Sequence, residues 1–192
     1  MTPWLVVGLG NPGERHEATR HNIGARVVER LAEGLGVRLR KVRFLPVQAA
    51  EARSGDVRLW LARPMTFMNV CGPPVASFAR RRRIEPKRIV ACHDEIDLAF
   101  GSLKLKLGGS TAGHRGLDSL VQALGTREFH RVRLGVGRPP GRQEPADYVL
   151  RPFEAEREEA EVLAQEAADA VLTLVSDGLE RAQDRHNRAG RA

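Results

Sequence analysis

Trp4-Leu5-Val6-Val7-Gly8-Leu9-Gly10-Asn11-Pro12-Gly13 opens with an apolar run that breaks on glycines, an asparagine and a proline. A short apolar run bounded by such turn formers reads as a buried strand. A second run of this kind, Arg88-Ile89-Val90-Ala91-Cys92, leads into His93-Asp94-Glu95. Further strands are expected over residues 57–62, 102–107 and 132–136, with a short one near 44–49. Helical periodicity fills the gaps. Ile23, Val27, Val28 and Leu31 lie on one face of a helix over 22–35, and Val75, Phe78 and Ala79 on one face of a helix over 70–83. Leu117, Leu120, Val121 and Leu124 mark a third helix, over 116–124. The C-terminal helices occupy about 154–188, broken at Asp177-Gly178, and residues 137–145 read as a mobile surface loop. Strands alternating with helices give an α/β fold: a single domain over 1–192, with a twisted mixed β-sheet flanked by helices on both faces.

The 192 residues suffice for one domain with a proper core. With 42% hydrophobic and 29% charged residues, the composition is that of a globular protein. No apolar run is long enough to span a bilayer, and no basic-then-apolar leader opens the chain. A cytoplasmic protein without membrane contact is expected. Cys71 and Cys92 lack metal-ligand spacing and read as small buried thiols. The net charge of +7 favours a polyanionic partner. Its cations are grouped: Arg80 to Arg83, then Lys104 and Lys106, then Arg127, Arg131, Arg133, Arg138 and Arg142, then Arg181, Arg185, Arg188 and Arg191.

In open α/β sheets the site lies beyond the carboxyl ends of the strands. Asn11, His21 and Asp94 would all fall there. Gly8-Leu9-Gly10-Asn11-Pro12-Gly13 matches a dinucleotide-binding pattern, but the next clear helix begins only after Glu14 to Thr19. A helix must start within such a glycine motif if its N-terminus is to meet pyrophosphate, so nicotinamide binding is not expected. His21 stands just before a helix. If the first and second strands are neighbours, Asp94 can hold its ring in one tautomer and leave the other nitrogen to take a proton from water. No serine or cysteine sits in a nucleophile turn, so water is the attacking species. Asn11 and Asn69 each carry an amide that can donate to a carbonyl and accept from an N–H, although a turn and a helix cap are the simpler roles. Gly108 to Gly116 form a glycine-rich loop whose backbone N–H groups could meet an anion.

Five ordered segments carry a more specific signal. They are Leu9-Gly10-Asn11-Pro12-Gly13, Thr19-Arg20-His21-Asn22-Ile23-Gly24, Pro64-Met65-Thr66-Phe67-Met68-Asn69, His93-Asp94-Glu95-Ile96-Asp97-Leu98 and Gly113-His114-Arg115-Gly116-Leu117. Together they resemble the bacterial peptidyl-tRNA hydrolase family, with a match running from the first strand to about Gly137. The resemblance implies hydrolysis of the ester joining a peptide to the 3′ ribose of tRNA, without metal or cofactor. It implies His21 as base and Asp94 as its partner, Asn11 and Asn69 as peptide-facing groups with Phe67 and Met68 nearby, and Lys106 and Arg133 as a tRNA phosphate clamp with Lys104 beside it. Two positions depart from the family pattern. Arg115 follows His114 where asparagine is usual, and an arginine donates hydrogen bonds but cannot accept them. His16 stands where tyrosine is usual, and with His114 and Arg115 it is expected among the substrate-binding residues. The partner implied is peptidyl-tRNA, met by a monomer. The alternative is an RNA-binding protein of the same scaffold that has lost catalysis.

Overall fold

The computed structural model describes residues 2–190. Arg191, of the basic tail, lies outside them. Seven strands form one sheet: β1 (Trp4–Gly8), β2 (Arg40–Lys41), β3 (Val47–Ser54), β4 (Val57–Pro64), β5 (Ile89–Glu95), β6 (Leu103–Leu107) and β7 (His130–Gly135). Their spatial order is β2-β3-β4-β1-β5-β7-β6. The four central strands, β4-β1-β5-β7, run parallel, and antiparallel pairs close both flanks. The helices are α1 (Glu14–Glu17), α2 (Ile23–Gly34), α3 (Gly72–Arg81), α4 (Arg115–Leu124), α5 (Pro145–Val149), α6 (Arg157–Asp177) and α7 (Leu179–His186). No helix among the described residues is long and apolar enough to cross a membrane.

Strand alternation builds two cores. Val6, Leu59, Val90 and Val132 face α2 and α6, against Val27, Val28, Leu31 and Val171. Leu5, Val7, Ile89 and Ala91 face the other way, against Val75, Phe78, Leu117 and Leu120 of α3 and α4. Helices thus cover both faces of a mixed sheet, as the alternation of strand and helix patterns implies. Cys71 and Cys92 are buried. Burial pushes the Cys71 thiol up to about 12 and the Cys92 thiol higher still, so neither is reactive near neutral pH.

Three expectations need correction. Residues 14–19, expected to separate Gly13 from the next helix, hold the one-turn helix α1 directly after Gly13. The short strand near 44–49 is instead β3, starting at Val47 and running to Ser54, because all eight of its residues pair with β4. Its Gln-Ala-Ala-Glu-Ala-Arg stretch has little strand propensity, and the partner supplies what the local sequence lacks. Phe44 belongs to a turn, with φ of +62°. The loop expected over 137–145 ends where Pro145 starts α5, a proline at a first helical position.

Candidate active site

The active edge owes its geometry to a close approach of backbones. A Cβ on Gly24 would lie 2.1 Å from the Cys92 carbonyl oxygen, and one on Gly8 would lie 2.5 Å from the Gly24 carbonyl oxygen. Without side chains there, the start of α2 settles onto β1 and β5. Ala25 N–H then donates to the Leu9 carbonyl at 3.1 Å, and Leu9 N–H to the Cys92 carbonyl at 3.1 Å. His21, three residues before Gly24, is thereby set against Asp94, two residues after Cys92.

His21 Nδ1 lies 2.9 Å and 3.0 Å from the two oxygens of Asp94, which is 3% exposed. A carboxylate only accepts, so Nδ1 carries the proton and Nε2 of the neutral ring is free. Asp94 also receives His114, whose Nε2 is 2.8 Å from Oδ1. His114 caps α4: its Nδ1 accepts from Gly116 N–H at 3.1 Å and Leu117 N–H at 3.3 Å. With Nδ1 accepting, the His114 proton must sit on Nε2. One buried carboxylate therefore takes two imidazole N–H bonds.

These contacts set the charges. Burial opposes ionisation of Asp94, but the His21 and His114 rings outweigh it and hold the carboxyl far below its usual range. Burial lowers the proton affinity of His21, while the charge and hydrogen bond of Asp94 raise it further, for a net upward shift that Arg115 partly offsets. His93 is the opposite case: burial, helped by His114, pushes it down to about 3. Its Nδ1–H donates to the Asp94 carbonyl at 2.8 Å, and its Nε2 is buried without a partner.

His21, Asp94 and His114 bring three potential ligand atoms within metal-binding reach of one another. Their protons argue against that use. Two backbone N–H groups occupy His114 Nδ1, so a metal on Nε2 would require an imidazolate. The trio is organised to hold protons.

The cleft above this trio has a volume of about 520 Å³. Of the residues the sequence singled out, Asn11, Phe67, Met68, Asn69, His114 and Arg115 line it together with His21 and Asp94. Asn11 Oδ1 accepts from Met68 N–H at 2.8 Å, which leaves its Nδ2 as a donor. Asn69 is exposed in a short 3₁₀ turn, Met68–Val70, whose cap is Phe67, so it is not consumed by capping. Arg115 opens α4 and makes no hydrogen bond or ion pair among the described residues. His16 is absent from the cleft wall. Its ring, half-buried, meets the Phe67 ring edge-on at 6.4 Å.

Lys104, Lys106 and Arg133 do not line the cleft but stand beside it on β6 and β7, where Arg133 bonds the cleft residue Glu95. The register Lys104–Arg133 and Lys106–Arg131 puts four cations on one face of that ribbon. Burial, Arg133 and Arg131 lower the proton affinity of Lys106. Arg133 donates to Glu95 Oε2 from Nε at 3.2 Å and from Nη2 at 3.1 Å. Arg131 is fully buried and donates to the Gly109 carbonyl at 3.0 Å and to the Ser110 carbonyl, fixing the glycine-rich loop from below. Within that loop Ala112 N–H donates to Ser110 Oγ and His114 N–H to the Thr111 carbonyl, so these two N–H groups are not free for an anion.

Two residues escaped the sequence reading. Asn22 is buried and clamps the Asn11 backbone from both sides, with Oδ1 accepting from N–H and Nδ2 donating to C=O, each at 2.9 Å. Its place beside His21 was the only signal. Arg20 donates to the Arg151 and Pro152 carbonyls at 3.3 Å and 3.0 Å and stacks on Tyr148 at 4.4 Å, tying α5, with cleft residues Val149 and Leu150 at its end, to the His21 turn.

The family model described as peptidyl-tRNA hydrolase matches residues 5–192. A peptidyl-tRNA hydrolase from Frankia alni is 51% identical over 186 residues, covering 96% of this chain and 94% of the relative. One from Streptomyces coelicolor is 48% identical over 191 residues, covering 96% and 95%. The crystal structure of peptidyl-tRNA hydrolase from Acinetobacter baumannii superposes with a TM-score of 0.91 at 32% identity, covering 100% of this chain and 97% of that one. A match along nearly the whole chain, joined to the same fold, leads to one conclusion: the chain belongs to the peptidyl-tRNA hydrolase family.

Proposed function

We propose that the protein hydrolyses the ester between peptide and tRNA with His21 as general base, Asp94 as its orienting partner and water as nucleophile. The observation that carries this is the His21–Asp94 contact, which keeps the proton on Nδ1 and leaves a basic Nε2 on a ring that lines the cleft. Water held between Nε2 and the ester loses a proton to the ring as its oxygen attacks the carbonyl carbon. The imidazolium returns that proton to the departing ribose oxygen, and Asp94 stabilises the transient charge. Asn11 Nδ2 is the donor nearest to hand for a substrate carbonyl. Asn69 faces the peptide amide, while Phe67 and Met68, with His16 supporting Phe67, supply apolar surface. Arg115 adds a cationic donor that favours negative charge growing in the cleft.

Lys104, Lys106 and Arg133 hold tRNA phosphates, contacts that position without reading sequence. An N-blocked substrate offers Asn69 an amide where free aminoacyl-tRNA would bury an ammonium, which disfavours cleavage of aminoacyl-tRNA in use. The constellation lies within one chain, so the working unit is a monomer, and its substrate places it in the cytoplasm. The test is release of N-acetyl-amino acid from N-acetyl-aminoacyl-tRNA by the parent chain and His21→Ala. A fall of about 10²–10⁴-fold is expected, and equal rates refute the assignment.

A further inference from the structure

The turn between β2 and β3 carries a feature that the hydrolytic site does not use. It lies at the same sheet edge as the cleft: Val47 pairs with Pro64, and the Pro46 carbonyl accepts from Met65 N–H at 2.8 Å. It stands three strands from β1, about 14 Å at ~4.8 Å per strand, on the side away from β6 and β7.

At its tip Phe44 is 79% exposed, more than any other large apolar side chain among the described residues. Its φ of +62° is a region bulky residues rarely occupy. A turn with no other duty would place glycine or asparagine there. The ring is also braced. The Arg43 guanidinium lies 4.6 Å from its centroid, covering one face, and Arg81 Nη1 of α3 donates to the Arg43 carbonyl at 3.2 Å. Arg40, Lys41, Arg43 and Arg81 are exposed, and none of them forms an ion pair among the described residues.

We propose that this turn docks single-stranded RNA, with one unstacked base on the open face of Phe44 and neighbouring phosphates on Arg43 and Arg81. A flat ring backed by a guanidinium, with a second free cation beside it, is the combination that holds single strands. A duplex offers the cations its phosphates but presents no free base face. One ring is too little apolar surface to enter a bilayer, and an acidic peptide needs no ring. The strand is an RNA other than the acyl-bearing end, because the cations assigned to the substrate's tRNA lie on the far side of β1. This inference goes beyond the hydrolytic reading, and only the exclusion of the acyl-bearing end rests on it.

The test uses the full chain and fluorescence anisotropy with a labelled unstructured RNA of about twelve nucleotides, a duplex of equal length, anionic phospholipid vesicles and polyglutamate. The single strand should bind more tightly than the other three. Phe44→Asn removes the ring while suiting the left-handed backbone, so melting temperature should hold or rise while affinity for the single strand falls about tenfold. Phe44→Trp should keep that affinity. Arg43→Gln with Arg81→Gln should reduce the slope of log affinity against log salt by about 0.7 for each phosphate no longer neutralised. Peptidyl-tRNA cleavage should be unchanged in all of these variants. Equal affinity of Phe44→Asn and parent overturns the proposal, as does a duplex, vesicle or polyglutamate bound as tightly as the single strand. Ring-dependent RNA binding by a parent chain that cleaves nothing would leave this proposal standing while removing the hydrolytic one.

Discussion

Asp94→Asn tests the proton arrangement, because His114 decides which way the new amide must turn. His114 can only donate from Nε2, since its Nδ1 already accepts from two backbone N–H groups. The amide oxygen must therefore take the place of Oδ1, 2.8 Å from His114 and 3.0 Å from His21 Nδ1, which puts the amide NH₂ in the place of Oδ2, 2.9 Å from the same His21 nitrogen. A donor now stands nearest to His21 Nδ1 and favours the tautomer with the proton on Nε2, the atom that should receive one from water. The upward push of Asp94 on His21 is lost as well, while the burial that lowers its proton affinity remains. Loss of the working tautomer predicts a fall in kcat of about 10³–10⁴-fold. The double variant Asp94→Asn/His114→Ser removes the competing donor and keeps a good helix cap. The amide oxygen can then turn to His21 and restore the tautomer, so the double variant should exceed the single one by about tenfold or more. Single-turnover release from N-acetyl-aminoacyl-tRNA, with folding checked by circular dichroism, measures both. An Asp94→Asn rate within tenfold of the parent, or a double variant no faster than the single one, refutes the reasoning.

His21 binds its proton more tightly than a free imidazole, so the acid limb of kcat/KM should lie above pH 6.5, with the base form lost as pH falls. Arg115→Gln removes a charge that lowers this affinity and should move the limb to higher pH; an unmoved limb means the guanidinium does not act on the ring. Stability should fall from about pH 6.5 downward, because the unfolded chain protonates His93 while the folded chain, with a value of about 3, does not. The slope is about 1.4 kcal/mol per pH unit for that group, and melts of His93→Asn between pH 7 and 5 should be flatter than those of the parent. Gly24→Ala must displace a backbone carbonyl lying 2.1 Å from the new Cβ. Soluble yield should collapse, or, if the chain folds with α2 displaced by about 1 Å, kcat should drop about 10²-fold; normal yield and activity would show that α2 can yield there at no cost.

The sheet and its site edge were readable where local pattern and burial agree. Leu5, Val6 and Val7 form a buried parallel strand because helices cover both of their sides, and a continuous apolar run is what such a strand requires. His21 and Asp94 could be paired because one stands ahead of the helix that follows β1 and the other near the end of β5, at the same carboxyl edge. β3 could not be placed from its own residues, since its extent comes from pairing with β4. The second N–H bond to Asp94 was likewise hidden. His114 reaches it only through the cap it makes on α4, twenty residues away in sequence, and no local periodicity encodes that reach. Arg131 is a basic residue on a strand next to Val132, and its burial beneath the glycine-rich loop follows from the loop's carbonyls rather than from strand alternation.

The Arg20 staple couples the cleft to the chain's last third. The guanidinium next to the His21 turn is held by the carbonyls of residues 151 and 152 and by the rings of Tyr148 and Phe153, shortly before α6 begins. Fraying that detaches α6 would release the segment around residue 21 in the same event. Amide exchange at both should share one opening free energy. A protease nick between α5 and α6 would then silence the enzyme with every cleft residue intact.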